Sequence, residues 1–184
     1  MSTVARSTMT AEEYALLPAN GVPSELVKGQ VIELNPPTPA HGRVCAKFVW
    51  LFMNHTQERK LGYVVSNDAA VITRRGPDSV RGADMAFYSS SRVTIEQFDK
   101  GYLPIVPNLV VEVRSKNDRW SEILEKVAEY LQAGVSIVCV ADPEPQTVHI
   151  FRADQPVQLL NEDQEFVLPE LFPDFRVPVR KFFE

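Results

Sequence analysis

The stretch Leu109-Val110-Val111-Glu112-Val113 decides how this chain is read. Aliphatic side chains fill every position but one, which predicts a strand buried on both faces, as in a parallel sheet. Glu112 is the anomaly, because a carboxylate inside an apolar strand is costly unless it is paired or ligated. Alternation sets it on the face opposite Val111 and Val113. An internal salt bridge with an arginine such as Arg114 or Arg81 would resolve the cost, and so would a metal ion or a lysine.

Downstream, Asn117-Asp118 predicts the cap of a helix running to about Ala133. Trp120, Ile123, Leu124, Val127 and Leu131 lie on one side of it, and Gly134 is a good stop. Ser136 to Ala141 reads as a second buried strand. Strand, helix and strand in so short a span predict a right-handed crossover with parallel strands. Val148–Phe151 and Val157–Leu160 read as edge strands, and the proline-broken end after them as surface wrapping.

Upstream, Asp84 to Tyr88 reads as a short strand after the turn-rich Val80-Arg81-Gly82-Ala83. Tyr63-Val64-Val65 and Ala69 to Thr73 read as a pair of strands, and Arg74 to Asp78 as a turn. A helix opens at His41-Gly42 and runs to about Lys60 with a broad apolar face, closed by Gly62. Asn35-Pro36-Pro37-Thr38-Pro39 before it is extended. Lys28-Gly29 joins Glu25-Leu26-Val27 to Gln30–Leu34 as a tight hairpin. Thr10-Ala11-Glu12-Glu13 has the pattern of a capping box, and Pro18 and Gly21 end that first helix. The fold class expected is α/β: a mixed β-sheet flanked by helices, with an N-terminal helix and β-hairpin.

Composition agrees with a single domain over 1–184. The 184 residues are 45% hydrophobic and 23% charged, an ordinary globular balance. No apolar run approaches the roughly 18 to 20 residues of a membrane span. Met1 to Thr10 is polar and lacks the apolar core of a secretory leader, so a cytoplasmic location is expected. Cys45 and Cys139 show no CxxC spacing and read as buried reduced thiols, and a count of two cysteines speaks against a cysteine-based zinc site. The net charge of −5 argues against a non-specific nucleic-acid coat but leaves room for a local basic groove. Arg43, Lys47, Arg74, Arg75, Arg81 and Arg92 are the candidate phosphate partners, and equally a solvated surface. There is no glycine-rich phosphate loop and no GxSxG.

The candidate chemistry centres on Asp84 and Glu112. The two lie 28 positions apart in sequence (112 − 84), and strands joined by a loop of that size can lie side by side and bring the two carboxylates together. Such a pair suits a hard divalent cation such as Mg²⁺. Asp84 as a simple turn residue is the alternative. Lys126, on the helix after the Glu112 strand, would complete a hydrolytic site by holding or activating water. Tyr130, four residues on, shares its face. The alternative for Lys126 is a solvated partner of Glu122 or Glu129. His41 stands at a helix start, where it would contact substrate or serve as a local cap.

These residues resemble the PD-(D/E)XK nuclease superfamily, and more closely a large bacterial group of restriction-endonuclease-like proteins within it. The matching pieces are Thr10–Tyr14, Glu25–Gly29, Pro36–Gly42, Arg81-Gly82-Ala83-Asp84, Leu109–Ser115, Lys126 with Tyr130, and Ala133-Gly134-Val135 leading to Ala141-Asp142-Pro143. The resemblance implies a restriction-endonuclease-like core with its site at the sheet edge. It implies Asp84 and Glu112 as ligands of Mg²⁺ or Mn²⁺, the Val113 carbonyl as a third, and Glu25 as an early acid near the metal, for which the alternative is a hairpin-edge glutamate in water. The proline usual before the aspartate is Ala83 here. The usual lysine position holds Arg114, which stays protonated and would stabilise an anion rather than act as a base. The lysine role would then pass to Lys126.

The function expected is metal-dependent endonucleolytic hydrolysis of DNA. Asp84, Glu112, Lys126 and Glu25 would carry it, with His41, Arg114 and Tyr130 at the substrate. A homodimer is expected, since cutting a duplex needs two sites related by symmetry. The alternatives are a catalytically inactive nuclease fold kept for dimerisation or nucleic-acid binding, and hydrolysis of a smaller phosphoester.

Overall fold

Near-continuous apolar runs through the middle of the chain build the centre of the sheet, where every residue of Leu109–Val113 and Ile137–Asp142 is buried. A computed structural model describes residues 8–18 and 21–184. The reading of Met1–Thr10 as leaderless falls mostly outside that range. The described elements are helix α1 (Ala11–Ala15), strands β1 (Ser24–Val27) and β2 (Gln30–Glu33), helix α2 (Pro39–Arg59), strands β3 (Gly62–Arg74) and β4 (Ser79–Ser89), and the short helix α3 (Ile95–Phe98). They continue with strand β5 (Leu109–Val113), helix α4 (Trp120–Ala133), strands β6 (Ile137–Asp142), β7 (Thr147–Arg152), β8 (Gln158–Leu160), β9 (Glu165–Leu168) and β10 (Phe172–Pro178), and a final 3₁₀ turn, Val179–Phe182.

Among the described residues the main sheet has eight strands, in the order β2-β1-β4-β5-β6-β7-β8, with β3 paired along β4. β5 and β6 are parallel, with Leu109 opposite Ile137 and Val113 opposite Ala141, as the crossover through α4 requires. The other pairings are antiparallel. This is the mixed sheet flanked by helices, with N-terminal helix and hairpin, that the pattern predicts. Lys28 and Gly29 turn the hairpin with φ of 50° and 76°, the left-handed geometry of a tight connection.

The two faces of β5 enter different cores. Leu109, Val111 and Val113 pack with Val44, Phe48 and Phe52 of α2 and with the C-terminal phenylalanines. Val110 packs with Ile123, Val127 and Tyr130 of α4. Glu112 lies on this second face by alternation, beneath α4.

Several boundaries differ from expectation. The two strands expected at 63–65 and 69–73 are one strand, β3. Asn67 and Asp68 adopt φ of 66° and 55°, and the ladder shifts register there without stopping. The strand begun at Asp84 starts at Ser79 instead. Helix α2 begins at Pro39, with Thr38 as its cap accepting from the His41 amide, so His41 is not the cap. It closes at Lys60 in the left-handed region rather than at Gly62. Arg119 rather than Asn117-Asp118 is the cap residue of α4. The C-terminal segment is core, not wrapping: Phe166, Phe172, Phe175 and Phe182 are buried. Phe182 stacks on Phe48 at 4.0 Å and Phe175 on Phe52 at 4.6 Å. Leu124 is 45% exposed, off the buried stripe of α4.

Candidate active site

Six elements meet at one end of the sheet: β1, the bulge of β3, β4, β5, the first turns of α2, and α4. β4 and β5 pair with Met85 opposite Val111. One step further along the ladder sets Asp84 opposite Glu112, on one face.

Glu112 is 4% exposed. Tyr130 donates its hydroxyl proton to Oε1 at 2.8 Å, and Lys126 Nζ lies 3.2 Å from Oε2. Burial pushes the Glu112 carboxyl up to about 7, with Lys126 opposing and Asp84 adding to the rise. Lys126 is held from the other side by Glu25 Oε1 at 2.9 Å. Burial lowers Lys126, but the Glu112 and Glu25 carboxylates outweigh it and hold the ammonium above its ordinary range. Lys126 is therefore a fixed cation and not a base at neutral pH.

Glu25 comes from β1 and is 2% exposed. Besides Lys126 it accepts from Arg81 at 2.8 Å and from the Gly82 amide at 3.1 Å. Burial raises its carboxyl, but Lys126 and Arg81 together bring it below its ordinary value. Arg81 also forms a two-pronged pair with Glu129, at 2.7 and 2.8 Å. Arg81 is thus an internal strut rather than a phosphate partner, and the internal salt bridge considered for Glu112 is made by Lys126 instead. Arg75 is likewise engaged, with Glu12 and Asp78.

Asp84 Oδ2 accepts from the Val113 amide at 2.7 Å and lies 3.3 Å from His41 Nε2. Burial lowers His41, but Asp84 and the Val113 backbone outweigh it and raise the imidazole above its usual range. The other ring nitrogen, Nδ1, is 3.4 Å from Cys45 Sγ. Cys45 is half-buried beside the site, unlike the fully buried Cys139.

The structure brings Asp84, Glu112, Val113, Lys126, Glu25, His41 and Tyr130 together. Tyr130 is fully buried, so it reaches Glu112 from within rather than facing a substrate. Arg114 is not brought in: its guanidinium bonds Asp142 at 2.9 Å and the Asp118 carbonyl, over the ring of Trp120. Sequence reasoning missed Asp68. Its bulge lies against Gly82, where a Cβ would fall 2.9 Å from the Asp68 Cβ. Burial raises the Asp68 carboxyl, Asp84 raises it further, and Lys126 and His41 oppose. The polar Asn67-Asp68 pair inside a β-branched run was the available signal.

This donor set fits a hard divalent ion. Burial is the main cause that raises both Asp68 and Glu112, and Asp84 adds to it against Lys126, so a further positive charge would favour their ionised forms. Buried carboxylate oxygens of this kind are the donors that Mg²⁺ or Mn²⁺ takes. A separate groove of about 690 Å³ between the end of α2 and β3, lined by Met53, Tyr63, Val65 and Phe98 among others, includes none of these carboxylates. None of the described helices is long and apolar enough to cross a membrane.

Comparison with known proteins bears on this arrangement. A solved structure described as a putative nuclease belonging to DUF820, from Anabaena variabilis ATCC 29413, superposes with a TM-score of 0.80 at 18% identity, over 95% of this chain and 97% of that one. That likeness is one of fold. No curated protein matches significantly. The model of one family spans residues 11–180, nearly the whole chain, and by that match the chain belongs to the Uma2 family, whose description is "Putative restriction endonuclease".

Proposed function

We propose that this protein is a Mg²⁺- or Mn²⁺-dependent endonuclease that hydrolyses DNA phosphodiester bonds at the Asp84–Glu112–Lys126 cluster. One observation carries the reading: a lysine fixed between two buried glutamates, beside an aspartate on the paired strand. Asp84, Glu112 and the Val113 carbonyl would hold the ion, with Asp68 near it. Bound there, a divalent ion lowers the pKa of water and neutralises phosphate charge. Lys126 Nζ orients the attacking water and stabilises negative charge on the phosphate, because its carboxylate partners keep it protonated. Glu25 positions Lys126, and Arg81 braces Glu25. Tyr130 fixes the rotamer of Glu112 through its hydrogen bond. His41, at the start of α2, would meet an incoming phosphate, with Asp84 favouring the protonated imidazole. Arg114 contributes only by bracing the segment after β5. Breaking both strands of a duplex calls for two such sites, so the reading includes a homodimer.

A second reading is a nuclease fold kept for binding alone. The closed pairing of Glu112, Lys126 and Glu25 favours it, since each group already has an internal partner.

Supercoiled plasmid incubated with Mg²⁺ or Mn²⁺ tests the first reading. Wild type should nick and linearise it. Asp84→Ala and Lys126→Ala, purified identically, should fall by on the order of 100-fold or more, as expected for losing charge stabilisation in the transition state. Equal cleavage by all three overturns the assignment. Should none cleave, Mn²⁺ binding by wild type but not Asp84→Ala would separate a binding site from a purely structural one.

A further inference from the structure

The proposed reaction uses Asp84 but gives no task to Cys45. His41 and Cys45 stand one turn apart on α2, so their side chains share a face. Cys45 Sγ lies 3.4 Å from His41 Nδ1, and His41 Nε2 lies 3.3 Å from Asp84 Oδ2. One ligand atom from each of the three residues falls within 4.8 Å of the others, and all three side chains are half-buried. A tetrahedral ion with bonds of about 2.3 Å to sulfur and 2.0 to 2.2 Å to nitrogen and oxygen needs ligand atoms roughly 3.3 to 3.8 Å apart. An ion takes only one of the two ring nitrogens, so the contacts to Cys45 and to Asp84 are not both kept, and the trio, within 4.8 Å, closes to that size by a turn of the imidazole.

The donor chemistry differs from that of the carboxylate site. Thiolate and imidazole select borderline-soft ions such as Zn²⁺, whereas Mg²⁺ takes oxygen. We infer that His41, Cys45 and Asp84 form a Zn²⁺ site, with one coordination position left open. On coordination the Cys45 thiol gives its proton to solvent and binds as thiolate. The absence of CxxC spacing does not bear on such a site, because it needs only one cysteine. Asp84 is shared, so Zn²⁺ competes with Mg²⁺ or Mn²⁺ and acts as an inhibitor. This second half rests on the proposed nuclease reading; zinc binding itself does not.

Co²⁺ is the probe for the test, because a cobalt-bound thiolate absorbs in the near ultraviolet. Wild type titrated with Co²⁺ should develop that band, and Zn²⁺ should abolish it by displacement. Cys45→Ser should show no band, and competition against a chromophoric chelator should show its Zn²⁺ affinity reduced by more than about tenfold, the low end of what even outer-shell partners are worth. Cys139→Ala should keep the band. A cooperative melt for Cys45→Ser confirms that it is folded. No thiolate band in wild type, or an unchanged band in Cys45→Ser, overturns the inference. Mn²⁺ binding followed by electron paramagnetic resonance separates the two readings. Mn²⁺ bound without Zn²⁺ sinks only the zinc site, and Zn²⁺ bound without Mn²⁺ sinks only the metal-dependent nuclease. Both ions bound together without displacement overturns the competition.

Discussion

Lys126 stands between two buried carboxylates, 2.9 Å from Glu25 and 3.2 Å from Glu112. After burial, it is the largest influence on Glu112, and with the Tyr130 hydrogen bond it opposes burial. Lys126→Met leaves both carboxylates short of a cation, a loss of about 3 to 5 kcal/mol for a buried pair with one partner removed. That loss belongs to pH 8. At pH 5 Glu112 already holds its proton in both proteins, so the loss is smaller. Urea unfolding at the two pH values checks this, and equal losses would refute it. His41 offers a second test. Burial lowers it and Asp84 more than compensates, so Asp84→Asn should bring its titration, followed by NMR, clearly down from the wild-type value. An unchanged titration would show that Asp84 is not its partner. At this scale Glu112 was legible as an acid in an apolar strand and Tyr130 as sharing a helix face with Lys126, whereas Asp84 and Lys126 read locally as a turn residue and a solvated lysine and stood out through the family resemblance. Asp68 and the Arg81–Glu129 pair were not legible, because they meet only through the β3 bulge and the packing of α4 on β4. Those juxtapositions are set by strand register and leave no local trace.

Elements hold the site through two close approaches. Gly82 faces the β3 bulge, and a methyl group there would fall 2.9 Å from the Cβ of Asp68 and 3.3 Å from its Cα. Gly82→Ala therefore has to displace backbone, and it should lower both thermal stability and Mn²⁺ affinity. A variant with wild-type Mn²⁺ affinity would show that Asp68 stands outside the metal's reach. The second approach is aromatic. Phe182 is fully buried and stacked on Phe48 of α2 at 4.0 Å. Phe182→Ala should cost about 3 to 5 kcal/mol, against roughly 0.5 kcal/mol or less for Leu124→Ala on the exposed side of α4. Chemical denaturation of both variants checks the contrast. β5 was read with its observed limits because its apolar run is short and bounded. The C-terminal core was misread because Pro169, Pro173 and Pro178 interrupt its periodicity, leaving buried phenylalanines scattered with no strand or helix pattern. The split of β3 has the same origin: Asn67 and Asp68 look like a turn, and their left-handed backbone makes a bulge that only the partner strand β4 keeps in register.

At the scale of the whole molecule the burial of Glu112 becomes a pH dependence of folding. Glu112 titrates in the folded protein near 7 against an ordinary 4.5. Between those values the native state holds a proton that the unfolded chain has lost, so stability falls as pH rises through the window. Asp68 and His41 are also raised and act in the same direction, whereas burial lowers His55 and His149, which oppose it near the ordinary histidine value. Glu25 is lowered, so its contribution is lost only in acid, below its ordinary value, and leaves this window untouched. The metal-free protein should therefore lose stability from pH 5 to pH 8, with Glu112 alone accounting for on the order of 3 kcal/mol at about 1.4 kcal/mol per pKa unit. A divalent ion favours the ionised carboxylates and stabilises the fold by mass action. With excess Mg²⁺ the high-pH loss should disappear, while at pH 5, where protons compete for the same oxygens, the ion should add little. Melting curves at pH 5, 6, 7 and 8 with and without Mg²⁺ should thus diverge as pH rises, and Glu112→Gln should flatten the metal-free dependence and close the gap. Parallel curves for wild type would mean that the ion does not bind at these carboxylates, and the Asp84–Glu112 pair would then have to be read as internal wiring of the fold.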